Sequence, residues 1–174
     1  MKFLSSYRNT FAALLLLPAV ALPQASTPAK PGAVPPGKFE IRLLVTAELD
    51  KVIRPTKGPD GKFTRAEPLK IAPRGQQFAV VVFFKDCKPD SAGNCKVDVD
   101  FQGIDPRGKT FENRKGSPLW RVRAPGPGMG QLGSSVMKIQ LESSDPAGTW
   151  RVIAVAHDRT SGAQAREEAS FEVR

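Results

Sequence analysis

The chain has 174 residues, a formal net charge of +9 at pH 7 and a hydrophobic fraction of 40%. This length predicts one ordinary domain with a core large enough to fold alone. One histidine and two cysteines are too few for a four-ligand zinc site of the usual kind, and we expect no metal and no cofactor. The excess of lysine and arginine attracts polyanions, but many basic secreted proteins bind none, and solubility without a dedicated partner is the default interpretation; we do not expect nucleic acid.

The N-terminal residues have the pattern of an export signal. Lys2 and Arg8 precede an apolar run of about a dozen residues, and small side chains follow at its end. We therefore predict a signal peptide over residues 1–21, cleaved after Ala21 or Ala25, and a periplasmic or secreted protein. The apolar run is too short to span a bilayer comfortably, so we expect no transmembrane segment in the mature chain.

A linker is predicted between the signal peptide and the folded domain. Residues 22–37 contain five prolines and few large apolar side chains, which favours an extended tether. The folded domain is then predicted over residues 38–174. Loss of Lys2 and Arg8 with the signal peptide leaves 24 of the 26 basic residues against 17 acidic ones, a net charge of +7.

The first part of this domain shows the two-residue period of β-strands. Apolar and polar residues alternate from Phe39 to Ala47, which predicts a half-buried strand. Residues 50–68 are rich in lysine, proline and glycine and predict a long loop or a hairpin with weak strands, and a short strand is predicted to end before Pro73. Residues 77–86 are apolar on both faces, so we predict a central strand that is covered on both sides.

Two cysteines follow this central strand. Cys87 and Cys95 are an even number of thiols in a chain predicted to be exported, which favours a disulfide over a redox pair or a metal site. The residues between them are turn-forming, and residues 96–102 alternate cleanly. We therefore predict that residues 77–86 and 96–102 pair as a hairpin closed by the disulfide, with a bulge near Lys85.

The rest of the domain continues the strand pattern. We predict a turn at residues 105–108, a short strand with a basic face at Trp120 and Val122, and a long glycine-rich loop over residues 124–135. No segment has a helical period. Further strands are indicated by apolar residues at every second position in 137–141, 150–156 and 169–173. With seven or eight strands, the sequence predicts an all-β, two-sheet antiparallel sandwich.

The last third of the chain resembles a known family. The stretch Asp145-Pro-Ala-Gly-Thr-Trp150, the alternating strand from it to Asp158 and the closing Phe171-Glu-Val173 are similar to the final hairpin of bacterial immunoglobulin-like domains of the fibronectin III type. The resemblance implies an immunoglobulin-like antiparallel β-sandwich and carries no catalytic residues, because such domains serve as spacers, adhesin modules and binders alike. The domain lacks the tyrosine corner of antibody domains, and its cysteines are expected on adjacent strands rather than across the sheets.

No arrangement of residues in the sequence predicts catalysis. His157 is the only histidine, and no serine has the glycine context of a nucleophile. Asp98 and Asp100 lie on one strand face about 7 Å apart, a spacing that paired carboxylates use in glycosidases. Their alternation with apolar residues already explains them as the solvated side of a strand. We therefore predict a protein that is not an enzyme.

Lysine and arginine residues in two loop-rich stretches are the remaining candidates for a site. If the loops lie at one end of the sandwich, these residues form a basic rim around Phe63, Phe111 and Trp120; the alternative is solvated loop charge. The candidate anion-binding residues are Arg107, Lys109, Arg114, Lys115, Arg121 and Arg123. Ile153 and Val155 are predicted on the outward face of their strand, which suggests a covering loop or a partner strand.

Together these features predict an exported, non-enzymatic immunoglobulin-like protein with a binding or assembly role at the cell envelope. Its partner is expected to be an envelope protein or an anionic envelope polymer. The alternative is a basic module that binds an anionic envelope polymer or glycan, or that inhibits an envelope enzyme.

Overall fold

A computed structural model of the chain describes residues 37–174. The predicted signal peptide over residues 1–21 and residues 22–36 of the predicted linker lie outside the described residues. The described part contains eight strands and one short helix. In chain order these are β1 (Glu40–Thr46), α1 (Leu49–Ile53), β2 (Ile71–Ala72), β3 (Gln77–Lys85), β4 (Val97–Ile104), β5 (Thr110–Trp120), β6 (Gln131–Gln140), β7 (Gly148–Asp158) and β8 (Gln164–Val173).

The strands form two sheets. The three-stranded sheet has the order β1-β3-β6, and the five-stranded sheet has the order β2-β8-β7-β4-β5. Every pair is antiparallel except β2, which runs parallel to the end of β8. The set β1, β3 and β6 facing β5, β4, β7 and β8 is the strand order of an immunoglobulin-like sandwich. The predicted all-β antiparallel sandwich of seven or eight strands is confirmed.

The core lies between the two sheets and consists of alternate residues of the predicted strands. Trp150 packs against Phe171 and Phe111, with ring centroids 6.3 and 5.0 Å away. The two-residue period therefore identified the buried faces correctly. The inward side chains of β3 and β7 are all buried: Phe78, Val80, Val82, Phe84, Trp150, Val152, Ala154 and Ala156.

The middle of the outer face of β3 is also buried, as predicted for a central strand. Ala79 and Val81 lie on this face and are at most 2% exposed. The connection between β1 and β2 passes over it and contains α1, which the sequence pattern did not predict because five residues are too few to show a helical period. In the same connection Lys57 and Phe63 form a bridge, so part of the predicted loop is a hairpin. Neither α1 nor any other part of the described chain forms a helix long and apolar enough to span a membrane.

The predicted hairpin between β3 and β4 is wrong. Both edges of β3 are occupied, by β1 and β6, whereas β4 pairs with β5 and β7 in the other sheet. Lys85 lies opposite Glu40, and Val97 lies opposite Trp120 and Asp158, so the bulge expected from pairing Lys85 with Val97 does not arise. The connection over residues 86–96 crosses from one sheet to the other. Turn-forming residues reverse the chain locally, but they do not choose the partner strand.

β5 is longer than the sequence predicted. It runs over Thr110–Trp120 at the edge of the five-stranded sheet, where only a short strand at Trp120 and Val122 was expected. Its side chains are mostly exposed or partly exposed on both faces, and its register with β4 shifts three times, so it has no two-residue period to detect. The glycine-rich loop is correspondingly shorter, because β6 begins at Gln131.

β5 and β6 close one side of the sandwich. Leu119 of β5 is fully buried, and its side chain lies against Gly133 of β6. The hydroxyl groups of Ser134 and Ser135 donate to the carbonyl oxygens of Leu119 and Pro118, at 3.0 and 2.6 Å. These contacts join the edges of the two sheets although β5 and β6 do not pair as strands.

Candidate functional site

The two cysteines form the predicted disulfide. Cys87 follows β3 and Cys95 precedes β4, and their Cα atoms are 6.1 Å apart. Both side chains are part of the hydrophobic core. Between them the carboxylate of Asp90 accepts the N–H groups of Ala92 and Asn94, at 3.0 Å each, and orders a tight turn. The connection between the sheets is therefore a structured loop fixed at both ends.

Three connections meet at the disulfide end of the sandwich, and we call them the loop platform: residues 86–96, 121–130 and 159–163. They come from both sheets, because the first links β3 to β4, the second β5 to β6 and the third β7 to β8. Main-chain N–H groups join them at 2.8–3.0 Å, with donation from Cys95 to Val122, from Ala124 to Gly93 and from Arg159 to Lys96.

Two carboxylates add side-chain bonds to this framework. Asp86 accepts the N–H of Gly128 at 2.8 Å and so ties the second connection to the start of the first. Asp158 is 1% exposed and accepts the N–H of Lys88 at 2.8 Å and the hydroxyl of Ser161 at 2.5 Å. The three connections are thus held in a fixed arrangement, as in loops that bind partners on a rigid scaffold.

The loop platform exposes apolar side chains beside basic ones. Val122 is 56% exposed and Met129 is 63% exposed. The platform contains five basic residues and two acidic ones, a formal excess of three positive charges. Three of the basic residues are in ion pairs with aspartates, whereas neither Lys88 nor Arg123 has an ion-pair partner within residues 37–174. The surface is therefore both apolar and cationic.

Asp98 of β4 lies beneath the platform and forms ion pairs with two arginines. Arg121 and Arg159 both donate to its carboxylate, Arg159 through Nε at 2.6 Å. Asp98 is 8% exposed, so the prediction that it lies on a solvated strand face is wrong. Burial alone raises the pKa of Asp98, but hydrogen bonds from Arg121 and Arg159 outweigh burial and hold this pKa below the usual value of an aspartate. The two arginines thus stabilise the base of the platform.

His157 and Asp100 form a second polar contact on the same sheet face. Nε2 of His157 lies 3.1 Å from Oδ2 of Asp100, and the N–H of Gly116 donates to Oδ1 at 2.7 Å. Burial raises the pKa of Asp100, but the bonds from Gly116 and His157 lower it further than burial raises it. No group of three or more histidine, cysteine, aspartate or glutamate side chains in the described residues is arranged to hold a metal ion.

The six predicted anion-binding residues do not form one surface. Arg107 and Lys109 lie in the turn between β4 and β5, where Arg107 pairs with Asp105 at 3.4 Å, whereas Arg121 and Arg123 belong to the loop platform. β4 spans eight residues between these two ends, which is roughly 23 Å at about 3.3 Å per residue step. The structure therefore does not place these basic residues around a single ligand.

Arg114 and Lys115 lie between the two ends, on β5. The guanidinium of Arg114 stacks over the ring of buried Phe101, with Cζ 5.3 Å from the centroid, and its Nε is buried without a hydrogen-bond partner in the described chain. Lys115 is exposed, and its charge contributes to the low pKa of Asp100 on the outer face of the sheet. Arg114 is therefore a packing residue rather than part of an open rim.

The aromatic residues expected to line the rim are also separated. Trp120 packs against Phe84, with ring centroids 5.5 Å apart, and Phe111 packs against Trp150. Phe63 lies in the connection between β1 and β2 and is 59% exposed. The three aromatic side chains therefore do not surround a common basic ligand site.

The outward apolar residues of β7 do not form an exposed patch. Ile153 is only 8% exposed, and Val155 is partly buried. The cross-strand neighbours of Ile153 are Gln102 and Glu168. Neither a covering loop nor a partner strand is needed to explain Ile153.

The carboxylate of Asp98, which joins two of the three connections, could not be recognised from the sequence. Asp98 alternates with apolar residues, and such a pattern gives no sign that an arginine from each of two other connections reaches it. A detectable signal existed for Met129, because a large apolar residue within a loop of glycine and proline has no core to enter. Lys88 could be found only once the disulfide loop was placed beside the other two connections.

The chain was compared with known families, curated proteins and solved structures. No family model matches it. No curated protein matches it either. Among solved structures, it is similar to the alkylpurine DNA glycosylase AlkC of Pseudomonas fluorescens (16% identity, TM-score 0.42), over 79% of this chain and 30% of that one. It is also similar to the sporulation control protein Spo0M of Bacillus subtilis (10% identity, TM-score 0.43), over 79% of this chain and 50% of that one.

A third similarity is to the CARDB domain of a Pyrococcus furiosus protein, at 12% identity and a TM-score of 0.36, over 78% of this chain and 90% of that one. The chain spans half or less of the first two proteins. At such identities and TM-scores the similarities assign neither a family nor an activity. The specific immunoglobulin-like family therefore stays a prediction, and the fold rests on the strand order itself.

Proposed function

We propose that this chain is an exported, non-enzymatic binding protein of the cell envelope and that the loop platform is the surface that contacts its partner. One observation carries the proposal: connections from both sheets are bonded together at one end, around a disulfide that closes the crossing between the sheets. Loops held on a rigid scaffold are the usual place for binding residues. A disulfide is typical of proteins in oxidising compartments outside the cytoplasm.

The bonding of the polar residues supports a role without catalysis. The hydroxyl of Ser161 donates to Asp158, and Nε2 of His157 faces Asp100. A serine nucleophile needs its hydroxyl proton to be directed at a general base, and these contacts direct the two groups elsewhere. Both side chains serve the framework of the sheet and of the loop platform.

The exposed groups of the platform favour an envelope protein with an apolar and acidic surface as the partner. Val122 and Met129 offer apolar contact area, and Lys88 and Arg123 offer positive charge that no acidic side chain of residues 37–174 pairs with. A second candidate, an anionic envelope polymer or glycan, is favoured by the same two cations. Binding to a protein partner depends more on the apolar side chains, whereas binding to a polymer depends more on the two cations and weakens more as the salt concentration rises.

The test measures binding of the purified mature protein to a washed envelope fraction of the source organism, at low and at physiological salt. The variant Val122→Ser with Met129→Ser is expected to weaken binding about tenfold or more if apolar contacts dominate. The variant Lys88→Glu with Arg123→Glu is expected to weaken binding to a protein partner moderately and to a polymer almost completely.

The matched control is Lys70→Glu with Lys138→Glu, which makes the same change in net charge at exposed positions away from the platform. It is expected to bind as the unchanged protein does. Equal loss in the control and the platform variants would show bulk charge attraction instead of a platform site. Export is checked separately by mass spectrometry of the mature N-terminus, which is expected at Leu22 or Ser26.

A further inference from the structure

A groove of about 380 Å³ lies outside the loop platform, on the outer face of the three-stranded sheet. Its floor is formed by Leu44 of β1 and Phe83 of β3. The facing wall comes from the connection between β1 and β2, through Val52, Pro55, Phe63 and Ala66. Pockets that take small molecules occupy about 300–1,000 Å³ and are lined mainly by apolar and aromatic side chains, so this groove has the size and lining of a ligand site.

The charged residues of the groove are all basic. Lys51 and Arg65 line it, and no acidic residue of the described chain does. Lys51 is paired with Glu48, whose second carboxylate oxygen accepts the N–H of Glu67 at 3.0 Å. Arg65 has no ion-pair partner within residues 37–174, and its side chain is exposed. A ligand that enters the apolar groove therefore meets a free positive charge at its side, which complements an anionic group.

A second hollow of about 260 Å³ lies beside the groove and shares Phe83 with it. Its other outward side chains, Glu40, Arg42 and Lys85, are charged, so the apolar contact area ends at Phe83. Phe63, opposite Phe83, leaves much of its ring in solvent, which is costly for an aromatic side chain and is relieved when a ligand covers it. The space between Phe63 and Phe83 therefore suits the alkyl chain of an amphiphile whose head group stays at the charged side of the groove.

We propose that this groove binds a single-chain amphiphile with an anionic head. The alkyl chain lies between Phe63 and Phe83, and the head group contacts the guanidinium of Arg65. The site does not depend on the loop platform, and either can fail without the other.

The test uses laurate as the probe, below its micelle concentration, and follows displacement of a fluorescent fatty acid from the purified mature protein. Laurate is expected to compete in a saturable way, and dodecyltrimethylammonium, which has the same chain length and a cationic head, is expected not to compete. Absence of saturable laurate binding would overturn the proposal. Equal competition by the two amphiphiles would overturn it as well, because the head group would then not be recognised.

Two variants locate the site on the chain. Arg65→Glu is expected to weaken laurate binding about tenfold or more, while Arg54→Glu, an exposed arginine of the same connection that does not line the groove, leaves it unchanged. Ala66→Trp is expected to block binding by filling the groove. Far-UV circular dichroism and the melting temperature confirm that each variant is folded. Laurate affinity that is the same in Arg65→Glu as in the unchanged protein, or equal losses in Arg65→Glu and Arg54→Glu, would refute the assignment.

Discussion

Substitution of Gly133 by alanine tests whether the side of the sandwich between β5 and β6 is as closely packed as the structure indicates. A Cβ atom at this position would lie 2.1 Å from Cδ1 and 2.6 Å from Cγ of Leu119, and 3.2 Å from the carbonyl oxygen of Val82. Leu119 is fully buried, and the Val82 oxygen belongs to the main chain. Neither neighbour can move aside without disturbing the core.

The expected cost follows from two opposing effects. Inserting a methyl group into a packed core typically costs about 1–3 kcal/mol, because side chains leave their preferred rotamers and the backbone shifts. Replacing glycine by alanine also lowers the conformational entropy of the unfolded chain, which favours folding by about 0.4–1 kcal/mol. We therefore expect Gly133→Ala to lower the free energy of unfolding by about 1–2 kcal/mol.

The assay is urea denaturation of the unchanged protein, Gly133→Ala, Leu119→Ala and the double variant. Leu119→Ala alone is expected to cost about 2–5 kcal/mol through the cavity that it leaves. In the double variant the new methyl group enters that cavity. The total loss is therefore expected to be smaller than the sum of the single losses by about 1 kcal/mol or more.

Gly130→Ala is the matched control, because a Cβ atom at Gly130 meets nothing within 4 Å. Its free energy of unfolding is expected to stay within about 0.5 kcal/mol of the unchanged protein. Strict additivity in the double variant, or a Gly133→Ala protein as stable as the Gly130→Ala control, would refute the proposed contact between Leu119 and Gly133.

Two further predictions concern the disulfide and Asp98. Reduction of the bond between Cys87 and Cys95 is expected to lower the free energy of unfolding by about 2–3 kcal/mol, since the bond closes a loop of eight residue steps. The sandwich is expected to stay folded. Urea denaturation with and without reductant measures this loss, and unfolding by reductant alone would contradict the prediction. Because the pKa of Asp98 is lowered in the folded protein, its contribution to stability is present above about pH 4 and is lost as the pH falls through the folded pKa. Asp98→Asn is therefore expected to be less stable than the unchanged protein at pH 7 and to approach it toward pH 2, and a difference that stays constant with pH would argue against the ion pairs with Arg121 and Arg159.

The patterns that succeeded were those that depend on burial. The alternation identified β1, β7, the second half of β6 and the end of β8 together with their inward faces, because a side chain two residues along a strand returns to the same environment. The two-sided apolar run of β3 identified a strand covered on both faces. The disulfide between Cys87 and Cys95 was also predicted from residue count and compartment alone.

The elements that failed were those whose residues carry no burial signal. β5 is an edge strand with three register shifts and mostly solvent-exposed side chains, so nothing in its composition distinguishes it from a loop. The short helix α1 buries no residue fully. The sequence also left open whether Arg107, Lys109, Arg114, Lys115, Arg121 and Arg123 share one surface, and the structure places β4 between the first two and the last two.

The sequence by itself determined that this chain forms an all-β sandwich, which residues face its core and that its cysteines are bonded. Those properties depend on local periodicity and on residue counts, both of which can be read directly from the sequence. Only the tertiary structure decided that β3 and β4 belong to different sheets, that Asp98 forms ion pairs with two arginines and that Phe83 faces Phe63 across a groove. Each of these features depends on which distant segments become neighbours, and packing of the whole chain decides this. The residues of a strand favour pairing but do not specify the partner strand.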